Sequence, residues 1–221
     1  MLPPANALVW PPAALPAPRD AETDLWWIDP GIAAELPPRA RARHLLHGLL
    51  SLYLEGAPLQ LDREAKGRPF LRNPGAPDFN LSDTRGGTVL AVAGRGRVGI
   101  DLERTDRAPP VARLAARWFA AEDAAALQAL EAEPARRAFL QQWTAKEAAC
   151  KATGTGIFGW LPGWRFALDS TEPRALALPE HAGSLDDWHF RRVEPEPGYT
   201  CVLAAWGFAP RWRYFFRLAP G

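Results

Sequence analysis

The chain has 221 residues, a formal charge of +1 at pH 7, ten tryptophans and two cysteines. The near-neutral balance argues against a nucleic-acid binder working by bulk electrostatics, and two cysteines make no disulfide framework and fit a reducing compartment. No run reaches the roughly 18 apolar residues a membrane span needs. Pro3, Pro4, Pro11, Pro12, Pro16 and Pro18 interrupt any signal-peptide core, so a cytoplasmic protein is expected.

Residues 1–23 are rich in Pro and Ala and read as an irregular or partly extended arm. Asp24 to Asp29 reads as a strand, ended by Pro30-Gly31. From Pro38 to Leu54 leucines recur at helical spacing; the front of this helix carries Arg39, Arg41, Arg43, His44 and His47, by themselves a solvated basic face. Leu59 to Leu61 reads as a short strand and Lys66-Gly67-Arg68-Pro69 as a turn, where Gly67 lets another backbone or a ligand come close. Phe79 to Thr84 leads through Arg85-Gly86-Gly87 into an apolar strand, Val89 to Ala93. Gly94-Arg95-Gly96 then turns the chain into Val98 to Glu103, the expected second strand of a hairpin. On that strand Asp101 and Glu103 share one face and Ile100 and Leu102 the other. Such a pair is either two solvated acids or the start of a site for a hard divalent cation, which one or two carboxylates hold together with substrate phosphates.

The strand pattern lapses between Thr105 and Pro110, where a domain joint is expected. Val111 to Phe119 and Ala120 to Leu130 read as helices, the second with Glu122 and Asp123 in its first turn, where the helix dipole favours acids. Pro134 is expected to end that region, and a further helix runs from about Arg136 to Ala152, closed by Gly154. Trp143, Glu147 and Lys151, four apart, form a stripe flanked by Lys146 and Cys150. A solvated Glu–Lys pair, worth roughly 0.3–0.5 kcal/mol, would account for part of it; a third carboxylate beside two lysines is what a metal–pyrophosphate site needs. The rest is strand-rich: Trp164 to Asp169, Arg174 to Leu178, Trp188 to Val193, Tyr199 to Trp206 and Arg211 to Leu218. The basic, aromatic tail after Arg211 is either an edge strand or a contact for an acidic partner. Cys150 and Cys201 are expected to be reduced and structural.

Gly99-Ile-Asp101-Leu-Glu103, followed forty residues later by Trp143-Thr-Ala-Lys146-Glu147-Ala-Ala-Cys-Lys151-Ala-Thr-Gly154-Thr-Gly156, resembles the 4′-phosphopantetheinyl transferase superfamily, in its larger, pseudo-dimeric surfactin-synthetase type. Gly67-Arg68-Pro69, Phe79-Asn-Leu-Ser82, Trp118-Phe-Ala-Ala-Glu122 and the turn Pro195 to Tyr199 extend the resemblance over residues 24–206. It implies an α+β fold of two similar α/β subdomains, 24–106 and 107–221, each with antiparallel strands packed on helices and related by a pseudo-two-fold axis, and a monomer. It implies an enzyme that moves 4′-phosphopantetheine from coenzyme A to a serine of an acyl or peptidyl carrier protein and releases 3′,5′-ADP. Mg²⁺, or Mn²⁺, would be held by Asp101, Glu103 and Glu147. Glu147, directly or through a metal-bound water, would be the base, with Lys146 and Lys151 neutralising the pyrophosphate. The coenzyme would meet Arg43, Gly67, Arg68, Pro69, Ser82, Asp83, Lys146 and Lys151. The partner would be an acidic carrier, and Arg113, Arg117, Arg136 and Arg137 read either as a local patch for it or as a solvated face. Asp83 departs from the pattern, since the family has a His there. A carboxylate 4 Å from a phosphate charge costs about 1 kcal/mol in water and roughly 4 at an intermediate dielectric. Arg85 or Arg68 offsets this, or Asp83 turns away to cap a backbone turn, or coenzyme binding is weakened. The last option leaves open a catalytically impaired member that binds coenzyme A or a carrier domain. The carboxylates alone would also suit another Mg²⁺-dependent phosphohydrolase or nuclease.

Overall fold

Strand β2 (Glu22–Ile28) is buried on both faces after its first residue, so a layer of structure must cover each side of it. The computed structural model, which describes residues 6–10, 18, 20–168 and 170–220, shows what those layers are. With β1 (Asn6–Val9), β5 (Asp78–Thr84), β6 (Gly87–Ala93) and β12 (Arg211–Ala219), β2 forms a mixed sheet in the order β1-β12-β2-β6-β5. Trp26, Ile28, Leu90 and Val92 face one way, onto Leu45, Leu49 and Leu50 of helix α1 (Pro38–Ser51). Leu25, Trp27, Val89 and Ala91 face the other way, as the two-residue strand period requires. They meet a second sheet, ordered β10-β11-β7, built from β7 (Arg97–Arg104), β10 (Trp188–Val193) and β11 (Tyr199–Trp206). The outer face of that sheet is covered by helices α2 (Val111–Trp118), α3 (Ala121–Gln128) and α4 (Ala132–Thr153). The result is an α+β fold in four layers, helix, sheet, sheet, helix. Two small ribbons, β3 (Leu61–Arg63) with β4 (Pro69–Leu71) and β8 (Arg165–Phe166) with β9 (Ala175–Ala177), complete it.

Helix α4 lies close to β7 because Gly99 carries no side chain. A Cβ there would come within 2.0 Å of the Ala148 carbonyl oxygen and 2.5 Å of the Ala152 nitrogen. The helix starts four residues before its expected beginning, at Ala132, with Pro134 inside its first turn, where a missing N–H costs no helical bond. It ends on Gly154, in the left-handed conformation (φ 73°) that favours glycine.

Three expectations of chain organisation change. β6 and β7 do not pair as a hairpin: the Gly94–Gly96 turn carries the chain from one sheet to the other, and β7 pairs with β11. β7 thus pairs across the boundary expected at 106/107. β12 is not an edge strand, and it too pairs across that boundary. It sits between β1 and β2, parallel to both. There Arg213 makes bonds of 3.0 and 2.9 Å to the buried Asp24, and the Tyr53 hydroxyl donates to the same carboxylate at 2.9 Å. The expected N-terminal arm falls mostly outside the described residues, but 6–9 form strand β1 and so join the sheet through β12.

Candidate active site

β7 pairs with β11 along one edge, and the N–H groups of Val98, Ile100 and Leu102 point the other way, toward β5. Alternate β5 side chains receive them: Asp78 at 2.8 Å, Asn80 at 2.9 Å and Ser82 at 3.2 Å. This side-chain ladder stitches the edges of the two sheets, and its last rung opens on the acidic residues. Asp101, 4% exposed, accepts from Lys151 Nζ at 2.6 Å and from the Ser82 hydroxyl at 3.1 Å, both through Oδ1. Its other oxygen, Oδ2, is buried and meets no hydrogen-bond donor among the described residues. Glu147 comes from α4, one turn before Lys151, 4.0 Å from that ammonium. Glu103 follows Asp101 on the same face of β7 and is ion-paired with Arg107.

The electrostatics show three acids crowded together. Burial, then Asp101 and Glu103, push the Glu147 carboxyl up to about 7. Burial and Asp101 also raise Glu103, against the pull of Arg107. Burial alone would lower the Lys151 ammonium, but Asp101 and Glu147 outweigh it and leave it above the usual lysine range. Among the described residues no His, Cys, Asp and Glu side chains already converge on one point as a metal sphere. Lys151 occupies one side of Asp101 and Arg107 holds Glu103. The orphaned Asp101 oxygen and the mutual repulsion of the carboxylates nevertheless fit a hard divalent cation, which takes carboxylate oxygens and would relieve both.

A cavity of about 310 Å³ adjoins this cluster, lined among others by Lys66, Gly67, Arg68, Pro69, Glu147 and Lys151. Gly67 has φ +91°, and a Cβ there would meet no protein atom within 4 Å, so the turn leaves room at its surface. Cys150 also lines the cavity, its thiol pushed up to about 12 by burial and by Glu147, which makes it inert; Cys201 is likewise buried and free.

Several expected site residues lie elsewhere. Lys146 is fully buried on the other side of α4, donating to Asp123 at 3.1 Å and to the Trp164 carbonyl, with the Phe119 ring 4.1 Å away. Trp143 is a core ring stacked on Phe139, not the head of a charged stripe. Arg68 lines the cavity, but each of its nitrogens is already engaged. It donates to the Lys151 carbonyl at 2.9 Å, to both Asp78 oxygens at 3.0 and 2.6 Å and to the Val98 carbonyl at 2.9 Å. It clasps α4 to the sheet seam. Asp83 alternates with Ser82 and so points to the opposite face of β5. There it pairs with Arg41 at 3.4 Å and accepts from Thr88; neither Arg85 nor Arg68 offsets it, and it caps no turn. Arg43 lines a separate cavity on α1 with His44 and His47. Within the basic patch, Arg136 and Arg137 are both paired with Glu133. The sequence reading missed Arg107 and the Asp78–Asn80–Ser82 ladder. The ladder had a signal, a polar residue at every second position of a strand that turns out to be an edge facing the second sheet.

Residues 97–204 match the family model described as the 4′-phosphopantetheinyl transferase superfamily. The chain is 32% identical over 180 residues to the 4′-phosphopantetheinyl transferase HetI of Nostoc sp., covering 78% of this chain and 73% of that one. It is 32% identical over 139 residues to the 4′-phosphopantetheinyl transferase psf-1 of Bacillus pumilus, covering 63% of this chain and 58% of the relative. The holo-[acyl-carrier-protein] synthase of Thermotoga maritima overlaps 51% of the chain and 64% of its own at 20% identity and a TM-score of 0.38, a likeness too slight to carry the fold. The matched span includes β7 with its carboxylates, the whole of α4 and most of β11, and the chain belongs to the 4′-phosphopantetheinyl transferase superfamily as an enzyme of that class.

Proposed function

We propose that this enzyme transfers the 4′-phosphopantetheinyl group of coenzyme A to a serine hydroxyl of an acyl or peptidyl carrier protein, as a monomer of the surfactin-synthetase type. The observation that carries the reading is the buried, unpartnered oxygen of Asp101, whose carboxylate is paired with Lys151; Lys151 and Glu147 line a cavity large enough for part of a nucleotide. Asp101, Glu103 and Glu147 would hold Mg²⁺ or Mn²⁺. The bound cation would stabilise negative charge on the phosphoryl oxygens during in-line displacement.

In the step itself, a P–O bond forms to the serine oxygen and the P–O bond to the leaving 3′,5′-ADP breaks. The serine proton passes to Glu147, the carboxylate that lines the cavity within reach of an incoming hydroxyl. Lys151 faces the site with its charge secured by Asp101 and lies close enough to the cavity to meet a pyrophosphate oxygen. The Gly67–Pro69 turn gives the coenzyme an open backbone edge. Lys146 and Arg68 hold α4 and the seam in place. Asp83, turned away and paired with Arg41, does not repel a phosphate in the cavity, which weighs against an impaired enzyme.

Release of 3′,5′-ADP tests this. Release should require coenzyme A, a divalent cation and an apo-carrier with its serine intact, and Glu147→Ala should slow it at least ~100-fold. Release at an unchanged rate with a carrier lacking the serine would instead make the protein a hydrolase.

A further inference from the structure

Ser82 reaches from the ladder into the acidic cluster. Its hydroxyl accepts from the Leu102 N–H at 3.2 Å and from Lys151 Nζ at 3.0 Å, and it donates to Asp101 Oδ1 at 3.1 Å. A serine hydroxyl has one proton and two lone pairs. All are in use, and the residue is 5% exposed. It therefore has no proton left to donate to a phosphate oxygen, the role its place in the family motif suggests.

We propose that Ser82 is a positioning residue for Asp101, fixing the carboxylate so that Oδ1 is engaged by Ser82 and Lys151 while Oδ2 stays free toward the cation. The torsion that turns a carboxylate about its last bond is broad and nearly two-fold. Lys151, a point charge on a flexible stem, attracts either oxygen equally well. Ser82 breaks that equivalence. It is short, it sits on a strand, and its own orientation is set by the Leu102 amide of the strand that carries Asp101. The serine thus ties the aim of the carboxylate to the seam between the two sheets. Asn80, one rung away, makes the same kind of bond to Ile100 and has no bond to Asp101.

The inference rests on the proposed cation site, and its test is a titration of the metal-free full-length protein with Mn²⁺ alone, followed by electron paramagnetic resonance. Ser82→Ala should weaken Mn²⁺ binding about 10- to 100-fold, the usual loss when a partner of a metal ligand is removed. Ser82→Thr, which keeps the hydroxyl, should recover most of it. Asn80→Ala, which loosens the seam without touching Asp101, should leave Mn²⁺ affinity within about threefold of wild type by the same reasoning. Coenzyme A binding measured in chelator should be unaffected by Ser82→Ala. If that variant gives no cooperative melt, Ser82→Cys takes its place with the same expectation. Unchanged Mn²⁺ affinity in Ser82→Ala, an equal loss in Asn80→Ala, or a loss of coenzyme A affinity in chelator would overturn the proposal while leaving the transferase reading intact. A wild-type protein that binds no Mn²⁺ would overturn the cation site, and this proposal with it.

Discussion

Lys146 and Glu147 are consecutive on α4 yet serve opposite environments: Lys146 is fully buried against Asp123, Trp164 and Phe119, while Glu147 lines the cavity beside Lys151. A helix turns by about 100° per residue. That step takes one side chain from the helix–sheet core to the site. Anchoring Lys146 sets the rotation of α4 about its axis, and with it the direction of Glu147.

Lys146→Met should therefore act on stability before it acts on substrate. It leaves Asp123 buried with Arg165 as its remaining partner. Removing one member of a buried pair costs about 3–5 kcal/mol, and the surviving Arg165 contact favours the lower end. Denaturant unfolding should show this loss, with little change in the KM for coenzyme A. Unchanged stability with a strongly raised KM would return Lys146 to the pyrophosphate.

The pH dependence of stability follows from Glu147, whose pKa rises from an ordinary 4.5 to about 7 on folding through burial and the neighbouring acids. The folded state binds this proton more tightly than the unfolded one. The associated stability is fully present below about pH 4.5 and is lost as pH rises through 7, with Glu103 shifted the same way. At about 1.4 kcal/mol per pKa unit the Glu147 contribution is roughly 3 kcal/mol. Metal-free protein should melt at a lower temperature at pH 8 than at pH 6, and Mg²⁺ should raise the melting temperature more at pH 8, where the ligands are ionised. Glu147→Gln should flatten the profile. A wild-type melting temperature independent of pH across this window would contradict the crowded-acid geometry.

Gly99→Ala tests the close approach of β7 and α4. The added methyl would stand 2.0 Å from the Ala148 carbonyl oxygen, so the helix has to move. Overpacking of this kind costs about 1–3 kcal/mol, and a displacement of order 1 Å between reacting groups can slow catalysis ~100-fold. Calorimetry and transfer rates should both report the change. Values within twofold of wild type for both would show that the interface is looser than described.

Removal of residues 209–221 tests whether the C-terminal strand is integral. It would expose one edge of β2 and strip the buried Asp24 of the Arg213 guanidinium. The truncated chain should lack cooperative unfolding, and Arg213→Ala alone should cost about 3–5 kcal/mol. A truncated protein that melts like the full chain would make β12 an accessory strand.

Much of this fold is legible in the sequence because it is local. The leucines of α1, the Gly154 stop of α4 and the alternation of Asp101 and Glu103 against Ile100 and Leu102 each follow from a short-range period. What failed depends on partners far along the chain. The Gly94–Gly96 turn reads the same whether the next strand folds back or crosses to another sheet, and only β11, about a hundred residues on, decides it. The tail at Arg211 reads as an edge until β1 covers its far side. Lys146 looked like a site residue because spacing along a helix gives relative directions but not which direction faces the core. Arg68 and Arg107 were hidden for a similar reason. Their partners, Asp78 and Glu103, lie on strands whose neighbours the local pattern does not reveal.

Transfer itself is read from the intact mass of an apo-carrier protein after incubation with this enzyme, coenzyme A and Mg²⁺. The carrier serine should gain one phosphopantetheinyl group, abolished by chelator and by Glu147→Ala, and preserved with Asp83 as it stands. A carrier whose mass is unchanged across acyl and peptidyl types, with coenzyme A bound and Mg²⁺ present, would contradict it.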